Sequence, residues 1–407
     1  MKLGIDFGTC YSSAALLIDG VLRSVKEPFK PLESCFYSSV CVTKKGEIVI
    51  SQAAENQRRL NPQGYKNHFK RDLQTDIPYF LGEQQLRFMP EDLITIMLTG
   101  LKKEAEKIIN GSLDSAIITV PATYLINKKQ LMEQAAKKAG FNEVTLLEEP
   151  VAAAIYYSQK GTMGHQLNEG DILLVYDLGG GTFDAALIQK KGNSYDLLCQ
   201  PVGDKQCGGI YFDQLIAQDF IKQLHEDSVL ELLTSHRQDK EAIAAKLNLQ
   251  DWCRNFKHQL SVLDEHEDLP PLGSDSYSLS RDKFEEMITP FIDSSCNLCQ
   301  QLVQQSGIKW ENINRVLLVG GSCRIPYVQK RLEQQFKRPV VAIDDPELAI
   351  CFGAAIYGDK DIQNQVKEAE LQRQKQEEAK RQSELEAKEE HDRRERERRF
   401  YQKYYAR

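Results

Sequence analysis

The sequence predicts an α/β protein built from two similar lobes that face a shared cleft, and two observations carry this prediction. Short apolar runs alternate with helical patterns over residues 3–358, which is typical of α/β architecture. In addition, residues 3–19 and 174–188 share one pattern: an apolar strand, Asp, a Gly-rich turn, Thr and a second apolar strand. We expect each copy to contribute a hairpin to the cleft.

The predicted strands are short apolar or alternating runs, most of which end in Gly, Pro or Asp. They are LGIDFG (3–8), AALLI (14–18), SAIITVP (115–121), TLLEEP (145–150), ILLVYDLGGG (172–181), AALIQ (185–189) and VLLVGG (316–321). The helical pattern NKKQLMEQAAKKAG (127–140) ends at Gly140, a natural C-terminal stop. A further helix is expected to begin just after Pro150, because proline is favoured in a first turn.

Composition excludes several classes of protein. Apolar residues make up 41% and charged residues 27% of 407, close to ordinary globular usage. No apolar run approaches the roughly 18 residues of a membrane span, and residues 1–20 do not resemble a signal peptide. Ten cysteines without an export signal predict free thiols in a reducing cytoplasm, and Cys296 and Cys299 are interpreted as two thiols on a helix. The net charge of −7 argues against a DNA-binding surface.

The last 47 residues differ from the rest of the chain. Residues 361–407 carry 12 acidic and 13 basic side chains and contain no Gly or Pro, so a boundary is expected near Gly358. This tail is rich in strong helix formers, but its apolar residues do not sustain heptads. We expect a solvated single helix over residues 359–407, with an interaction arm as the alternative. Basic and aromatic residues near its end also suit an acidic partner, RNA or a membrane surface.

The two repeated hairpins predict a site for phosphate and a cation. Gly8 lies in the first turn, residues 179–181 are all glycine in the second, and Thr9 and Thr182 follow them. Glycine lets backbone N–H groups approach an anion closely. Asp6 and Asp177 end the preceding strands, and carboxylates beside a phosphate require a cation between them, usually hydrated magnesium. The alternative is a pair of ordinary hairpins with Asp-Gly turns.

A third glycine pattern follows the last buried strand. VLLVGGSCRIPYVQKRL (316–332) predicts a strand that reaches Gly320 and Gly321, with a helix from about Pro326. Such a turn suits the close approach of a sugar or a flat ring, and Arg324 has a guanidinium able to stack on a base. An ordinary tight strand-to-helix turn is the alternative.

Six segments in order resemble one known family. GIDFGT, TVPATY, EEPVAAA, DLGGGTFD, VGGSCRIP and DDPELAICFGAA are similar to the ATPase domain of the seventy-kilodalton heat-shock (DnaK-like) chaperones, and more distantly to actin and sugar kinases. The resemblance covers residues 1–358. It implies an actin-like (ribonuclease-H-like) two-lobed ATPase fold, with lobe I over 1–166 and lobe II over 167–358. The segment at about 343–358 is expected to return to lobe I.

The resemblance also implies roles for individual residues. Lys70 would reach the γ-phosphate and the attacking water, and Glu149 would order that water; a solvated lysine and a helix N-terminal acid are the alternatives. Asp6 and Asp177 would hold Mg²⁺ largely through water, and Asp184 would lie behind them near a potassium ion. Asp177 and Thr182 are also expected to take part in catalysis. The nucleotide-binding set comprises Gly8, Thr9, Cys10, Tyr11, Gly179, Gly180, Gly181, Thr182, Gly203, Lys257, Ser261, Gly320, Gly321, Ser322, Arg324 and Glu347.

Several positions depart from the family pattern. Cys10 stands where a second threonine is usual, and Ile210 where Glu is usual. Arg254 replaces an expected ribose-binding carboxylate, and His258 an arginine that stacks on adenine. Glu347 stands for Asp, a mild change. Lys129 stands where the family has an arginine that relays nucleotide state to the docking of a second domain. We therefore expect weaker adenine nucleotide binding, with ATP or ADP, and a looser base preference.

The functional prediction is a cytoplasmic chaperone-like ATPase that hydrolyses MgATP slowly and signals through lobe closure. No apolar linker or β-rich segment follows Gly358, so peptide clamping by a substrate domain is not expected. The output would instead reach a protein partner through the lobe surface or the tail. A non-hydrolysing nucleotide sensor or scaffold and an actin-like filament protein are the alternatives.

Overall fold

A computed structural model describes residues 1–159, 167–234, 236–237, 239–359, 371 and 375. One compact unit contains residues 1–191 and 195–359, and residues 192–194 and 360–407 form a second unit. The predicted tail helix over 359–407 lies outside the described residues except at Asp359, Leu371 and Lys375.

The described strands follow the chain in this order: β1 (Leu3–Phe7), β2 (Tyr11–Ile18), β3 (Val21–Ser24), β4 (Cys35–Tyr37), β5 (Ser39–Val42), β6 (Ile48–Ile50), β7 (Tyr65–Asn67), β8 (Tyr79–Leu81), β9 (Leu86–Phe88), β10 (Ser115–Val120), β11 (Glu143–Glu148), β12 (Ile172–Leu178), β13 (Phe183–Lys191), β14 (Ser194–Leu197), β15 (Val202–Asp204), β16 (Glu265–Asp268), β17 (Tyr277–Ser280), β18 (Ile313–Val319) and β19 (Val340–Ala342). The described α-helices are α1 (Ser51–Arg58), α2 (Pro90–Ile109), α3 (Ile126–Lys138), α4 (Glu149–Gln159), α5 (Gly209–Gln223), α6 (Asp227–Thr234), α7 (Lys240–Leu260), α8 (Arg281–Ser306), α9 (Pro326–Phe336) and α10 (Ala349–Tyr357).

Two main sheets repeat one local arrangement. In the first sheet, with order β11-β10-β1-β2-β3, strand β1 is antiparallel to β2 and parallel to β10. In the second sheet, with order β14-β13-β12-β18-β19, strand β12 is antiparallel to β13 and parallel to β18. The repeated sequence pattern therefore folds twice into a hairpin beside a parallel strand. Because carboxyl ends of parallel strands meet at one sheet edge, Asp6 and Asp177 lie at matching edges.

Each main sheet has its own hydrophobic core. Around the first sheet, buried side chains of β1, β10, α2 and α3 pack together, with Phe7 and Phe69 fully enclosed. Around the second sheet, side chains of β12, β13, α5, α7 and α8 form another core that includes Tyr176 and Phe212. Near-continuous apolar runs suit these central strands, since helices cover them and both strand faces are buried.

The last described helix packs against elements of the first half. Helix α10 contacts α4 and β1 closely, because glycines remove the side chains that would separate them. A Cβ at Gly353 would lie 1.8 Å from the carbonyl oxygen of Ala152, and one at Gly4 would lie 2.3 Å from the amide nitrogen of Ala355. Close packing of this kind requires glycine at both positions.

The sequence-based element predictions are confirmed where the structure describes them. All seven predicted strands are present, α3 ends just before Gly140, and Pro150 is the second residue of α4. Cys296 and Cys299 lie on α8 as buried free thiols, and the other eight cysteines, which lie elsewhere in the chain, are also free. Among the described residues, no helix is both long and apolar enough to cross a membrane.

Candidate functional site

The sequence-predicted site residues meet in one cleft of the described chain. Its cavity volume is about 1420 Å³, larger than the roughly 300–1,000 Å³ of most small-molecule pockets. Residues at the ends of β1, β12 and β18 line the cleft. The predicted residues that line it are Asp6, Gly8, Thr9, Cys10, Tyr11, Lys70, Glu149, Asp177, Gly179, Gly180, Gly181, Thr182, Asp184, Gly203, Lys257, Ser261, Gly320, Gly321, Ser322, Arg324 and Glu347.

The two glycine turns approach each other too closely for side chains. A Cβ at Gly180 would lie 2.5 Å from the Cys10 sulfur, and one at Gly181 would lie 2.8 Å from Thr9. A Cβ at Gly8 would lie 2.2 Å from the carbonyl oxygen of Tyr11. These glycines are needed for space, and the side chains of Thr9 and Cys10 lie over the opposite turn. A ligand between the turns would contact both hairpins at once.

Lys70 and Glu149 form a buried ion pair at the base of the cleft. The Lys70 ammonium lies 3.0 Å from Oε1 of Glu149 and donates a hydrogen bond to it. Only 6% of Lys70 is exposed, so the alternative of a solvated surface lysine is wrong. Burial lowers the pKa of Lys70, but Glu149, Tyr124 and Asp6 together raise the pKa more, so the lysine is charged.

Local structure explains how these two side chains reach the base. Lys70 lies in a short 3₁₀ turn, Phe69–Asp72, that follows His68 in a left-handed conformation with φ of 56°. Glu149 is the first residue of α4, directly after β11. The predicted alternative for Glu149, an acid at a helix N-terminus, is thus compatible with its place in the cleft.

Three aspartates complete what we call the carboxylate floor, which comprises Asp6, Lys70, Glu149, Asp177 and Asp184. Burial first, and the Glu149 charge second, raise the pKa of Asp6 and of Asp184 to about 7. The same two causes raise the pKa of Asp177 well above its usual range. One lysine faces four carboxyl groups, so the floor lacks positive charge.

The floor fits a hydrated divalent cation. Among the described residues, no three acidic, histidine or cysteine side chains are close enough to enclose a metal ion directly. The oxygen donors are nevertheless of the kind that magnesium prefers, and magnesium keeps several waters when few carboxylates reach it. A cation here would supply the positive charge that the floor lacks. Asp6 and Asp177 remain the predicted holders.

Two threonines that the sequence reasoning missed hold the floor aspartates. Thr119 donates a hydrogen bond to Asp6 at 3.3 Å, and Thr123 donates one to Asp184 at 3.1 Å. Both bonds lower the pKa of their acceptor and partly oppose burial. Both threonines belong to the motif TVPATY (119–124), which already carried the family resemblance and could have indicated them.

The third glycine turn lies against the second. Gly320 has φ of 86°, and a Cβ there would lie 2.5 Å from the carbonyl oxygen of Leu178. Glycine is therefore required on both steric and conformational grounds. Ser322 donates a hydrogen bond to the carbonyl oxygen of Gly179 at 2.8 Å, which ties the two turns together. The Arg324 guanidinium pairs with Glu347 at 2.8 Å, so stacking on a base requires that pair to open.

Lys257 and Asp213 form a second buried pair beside the turns. The Lys257 ammonium lies 2.7 Å from Asp213 and donates a hydrogen bond to the carbonyl oxygen of Gly209 at 3.0 Å. Burial raises the pKa of Asp213, and Lys257 opposes this increase. Sequence reasoning missed Asp213 because α5 lies far in sequence from Lys257 on α7. The signal that could have indicated the pair was an acid on the buried face of α5. The Ser261 hydroxyl donates to the carbonyl oxygen of Lys257 at 3.3 Å.

Three cations lie near Cys10 in the first glycine turn, and we call Arg71, Arg254 and Lys257 the cationic wall. Arg254 pairs with Asp251 at 2.9 Å, and its guanidinium lies 5.6 Å from the centre of the Tyr37 ring. Arg71 donates to the carbonyl oxygen of Lys205 at 3.0 Å and to the Tyr211 hydroxyl. Arg71 and Tyr37 did not enter the sequence-based site.

The other departures from the family pattern lie in different places. Ile210 and His258 line the cleft. Burial and the nearby Lys257 charge lower the pKa of His258 to about 4, so it is neutral at pH 7. Lys129 pairs with Glu148 at 2.8 Å on the strand that precedes the floor glutamate.

A family model and curated relatives of known name are similar to most of this chain. The family model described as Hsp70 protein matches residues 2–372. The chaperone protein DnaK of Picrophilus torridus is 31% identical over 366 residues, which cover 88% of this chain and 57% of that protein. The chaperone protein DnaK of Thermoplasma volcanium is 31% identical over 380 residues, which cover 91% of this chain and 59% of that protein. The chain thus spans under three fifths of the length of these relatives.

Proposed function

Because the chain belongs to the Hsp70 family, we propose that it binds MgATP between its three glycine turns and hydrolyses it slowly. The observation that carries this proposal is the Lys70–Glu149 pair, 3.0 Å apart and buried among three aspartates at the base of the cleft. Phosphoryl transfer depends on positioning and charge neutralisation more than on covalent chemistry. The floor contains charged groups that can position the phosphate and neutralise its charge.

Each group of the site has a role in this proposal. The turns at Gly8–Cys10 and Gly179–Thr182 would bind phosphate oxygens through backbone N–H groups. Lys70 would hold the γ-phosphate, and Glu149 would orient the water that attacks it. Magnesium, when bound with Asp6 and Asp177 through water, supplies positive charge to the phosphates. The bond from the γ-phosphorus to the bridging oxygen breaks as the bond to water forms.

We further propose that the nucleotide changes how the two sides of the cleft close. Polar contacts already join them: Arg58 donates to the carbonyl oxygen of Leu247 on α7 at 3.0 Å, and Arg59 lies 3.4 Å from Asp251. Polar contacts of this kind can break and re-form as a cleft opens and closes, which suits a switch. A protein partner would sense this closure. Potassium near Asp184 and a cytoplasmic location belong to the same proposal.

A nucleotide sensor without useful turnover is the second candidate. It is favoured by the cationic wall, because Arg254 and a neutral His258 alter the side of the cleft where a nucleoside would lie. The floor favours hydrolysis instead. The two candidates differ only in whether bound ATP is cleaved.

Steady-state ATP hydrolysis with magnesium tests the proposal. We expect a slow rate for the wild-type chain that falls at least about 100-fold in Lys70→Ala and in Asp177→Asn, because each removes charge positioned at the transferred phosphate. ATP binding is titrated in parallel, and Asp76→Asn, an exposed acid, is the control. Binding without turnover would establish the sensor, and a failure to bind any nucleotide would refute both candidates.

A further inference from the structure

The part of the cleft around Arg254 holds positive charge that the acids beside it do not fully balance. Asp251 lies 2.9 Å from Arg254, 3.3 Å from Arg58 and 3.4 Å from Arg59. Glu55 lies 2.8 Å from Arg58 and helps to neutralise that residue. Asp213 also acts on Arg254 but is paired with Lys257. Three carboxylates therefore face three guanidinium groups and one ammonium group, and Arg254 has only a share in Asp251.

Arg254 is the member of this group that lies inside the cleft. Its side chain is 26% exposed, so a ligand can reach it. The guanidinium lies over the Tyr37 ring, and that ring lies 4.9 Å from the ring of Tyr11, which follows the first glycine turn. Burial and nearby cations, Arg254 among them, lower the pKa of both His68 and His258 to about 4. Those imidazoles are neutral, and the positive charge is left to the arginines.

Arg71, another member of the cationic wall, adds a second positive charge. Its guanidinium donates to a carbonyl oxygen and to the Tyr211 hydroxyl, both neutral acceptors, and lies 5.5 Å from the Tyr211 ring centre. The charges of Lys257, Arg254 and Arg71 each lower the pKa of the Cys10 thiol and partly oppose the increase caused by burial. Three cations and one acid, Asp213, therefore act on the Cys10 side of the cleft.

Arg254 lies close to the place where the sugar of a bound nucleotide would lie. A Cβ built at Gly209 would lie 2.9 Å from the Ser322 hydroxyl, 3.0 Å from the Lys257 ammonium and 3.6 Å from the Cα atom of Gly180. At this point the second phosphate turn meets the third glycine turn. A ribose joins phosphates to base, so it would lie here. Arg254 precedes Lys257 by one helical turn, about 5–6 Å along the same face of α7.

We infer that Arg254 binds an additional phosphate group carried by the ribose of the bound nucleotide. The cleft would then prefer adenine nucleotides phosphorylated on the 2′ or 3′ hydroxyl over unmodified ones. A guanidinium presents a planar fork of donors that matches a phosphate, and arginine accommodates ribose phosphates in dinucleotide sites. This inference rests on the proposed function, because it assumes that the glycine turns bind the 5′-phosphates.

Calorimetric titration of the full chain with four probes tests the inference. The probes are ADP, AMP, adenosine 2′,5′-bisphosphate and adenosine 3′,5′-bisphosphate. We expect one bisphosphate to bind at least about tenfold more tightly than AMP, the factor that corresponds to about 1.4 kcal/mol, because a charge-assisted hydrogen bond is added. The more favourable isomer identifies the hydroxyl that Arg254 faces.

Variants separate a specific contact from general attraction. In Arg254→Gln the ratio of the bisphosphate to the AMP affinity should fall towards one, and Arg254→Lys should keep part of it through charge alone. Arg59→Gln is the matched control, because Arg59 pairs with the same Asp251 but its side chain is 57% exposed. This control should keep most of the ratio, because Arg254 stays in place and gains only a larger share of Asp251; melting curves establish that each variant is folded.

The outcomes distinguish this inference from the proposed function. If ADP binds but neither bisphosphate exceeds AMP, the inference is wrong and the nucleotide site stands. The inference is also wrong if Arg254→Gln and Arg59→Gln lower the ratio equally. If none of the four probes binds, the proposed function fails, and the inference fails with it.

Discussion

The carboxylate floor and the cationic wall lie in one cleft and have opposite charge. The floor has four carboxyl groups and one lysine, with the pKa of Asp6 and of Asp184 raised to about 7. The wall has Arg71, Arg254 and Lys257; Asp213 pairs with Lys257, whereas Asp251, the partner of Arg254, is shared with Arg58 and Arg59. The floor by itself repels phosphate and requires a metal ion, whereas the wall attracts phosphate directly. A magnesium nucleotide complements both regions.

The largest effect is expected where the wall is buried. Lys257→Met would leave Asp213 buried without its cation, which we expect to destabilise the protein by about 3–5 kcal/mol, measured by urea unfolding without nucleotide. The double variant Asp213→Leu with Lys257→Met should recover most of that loss. If Lys257→Met lowers the free energy of unfolding by less than about 1 kcal/mol, the Asp213–Lys257 pair does not stabilise the wall.

On the floor, protonation should control stability when no metal is bound. The pKa of Asp6 rises from 3.8 to about 7 in the folded state, mainly through burial and Glu149. The stabilisation from its protonated form is complete below about pH 4 and is lost as the pH rises through about 7. Asp6→Asn cannot ionise, so its stability relative to wild type should increase by about 3 kcal/mol from pH 5 to pH 8.

Urea unfolding at pH 5 and pH 8, with magnesium removed, measures this difference. Asp76→Asn, an exposed acid, is the control and should follow the wild type. A constant difference between Asp6→Asn and wild type would mean that the floor does not repel a second negative charge.

The smallest effect is expected at the first glycine turn, where the two regions meet. Cys10 lies against the turn at Gly180, and burial raises the pKa of its thiol to about 12, so it is a neutral, weak donor. Cys10→Thr introduces a hydroxyl on a side chain of similar size. We expect ADP affinity to increase about fivefold, the gain from one hydrogen bond of about 1 kcal/mol. Cys10→Ser separates the hydroxyl from the methyl group, and lower affinity in both variants would contradict this expectation.

Local sequence patterns predicted the fold class and two of the five floor residues. The repeat placed Asp6 and Asp177 at the ends of matching strands, and both strands end at the cleft as expected. Lys70 and Glu149 came from the family resemblance, since nothing in the polar segment around Lys70 indicates burial. The roles of all these residues stay predictions.

The wall could not be predicted in the same way. Asp213 and Lys257 lie on different helices, and Tyr37 and Arg254 come from strand β4 and helix α7. Such pairs depend on how distant elements pack, which no local periodicity encodes. The pairing of Arg324 with Glu347 was missed for the same reason. The predicted tail helix lies outside the described residues, apart from the three named above.

The central claim is that the floor binds a cation and the wall binds an anion. Calorimetric titration of ADP with magnesium, and with magnesium chelated, tests it in wild type, Asp177→Asn and Arg254→Gln. We predict that magnesium increases the ADP affinity of wild type and of Arg254→Gln by the same factor, and that Asp177→Asn loses most of this factor. Equal dependence on magnesium in Asp177→Asn and in wild type would contradict the account.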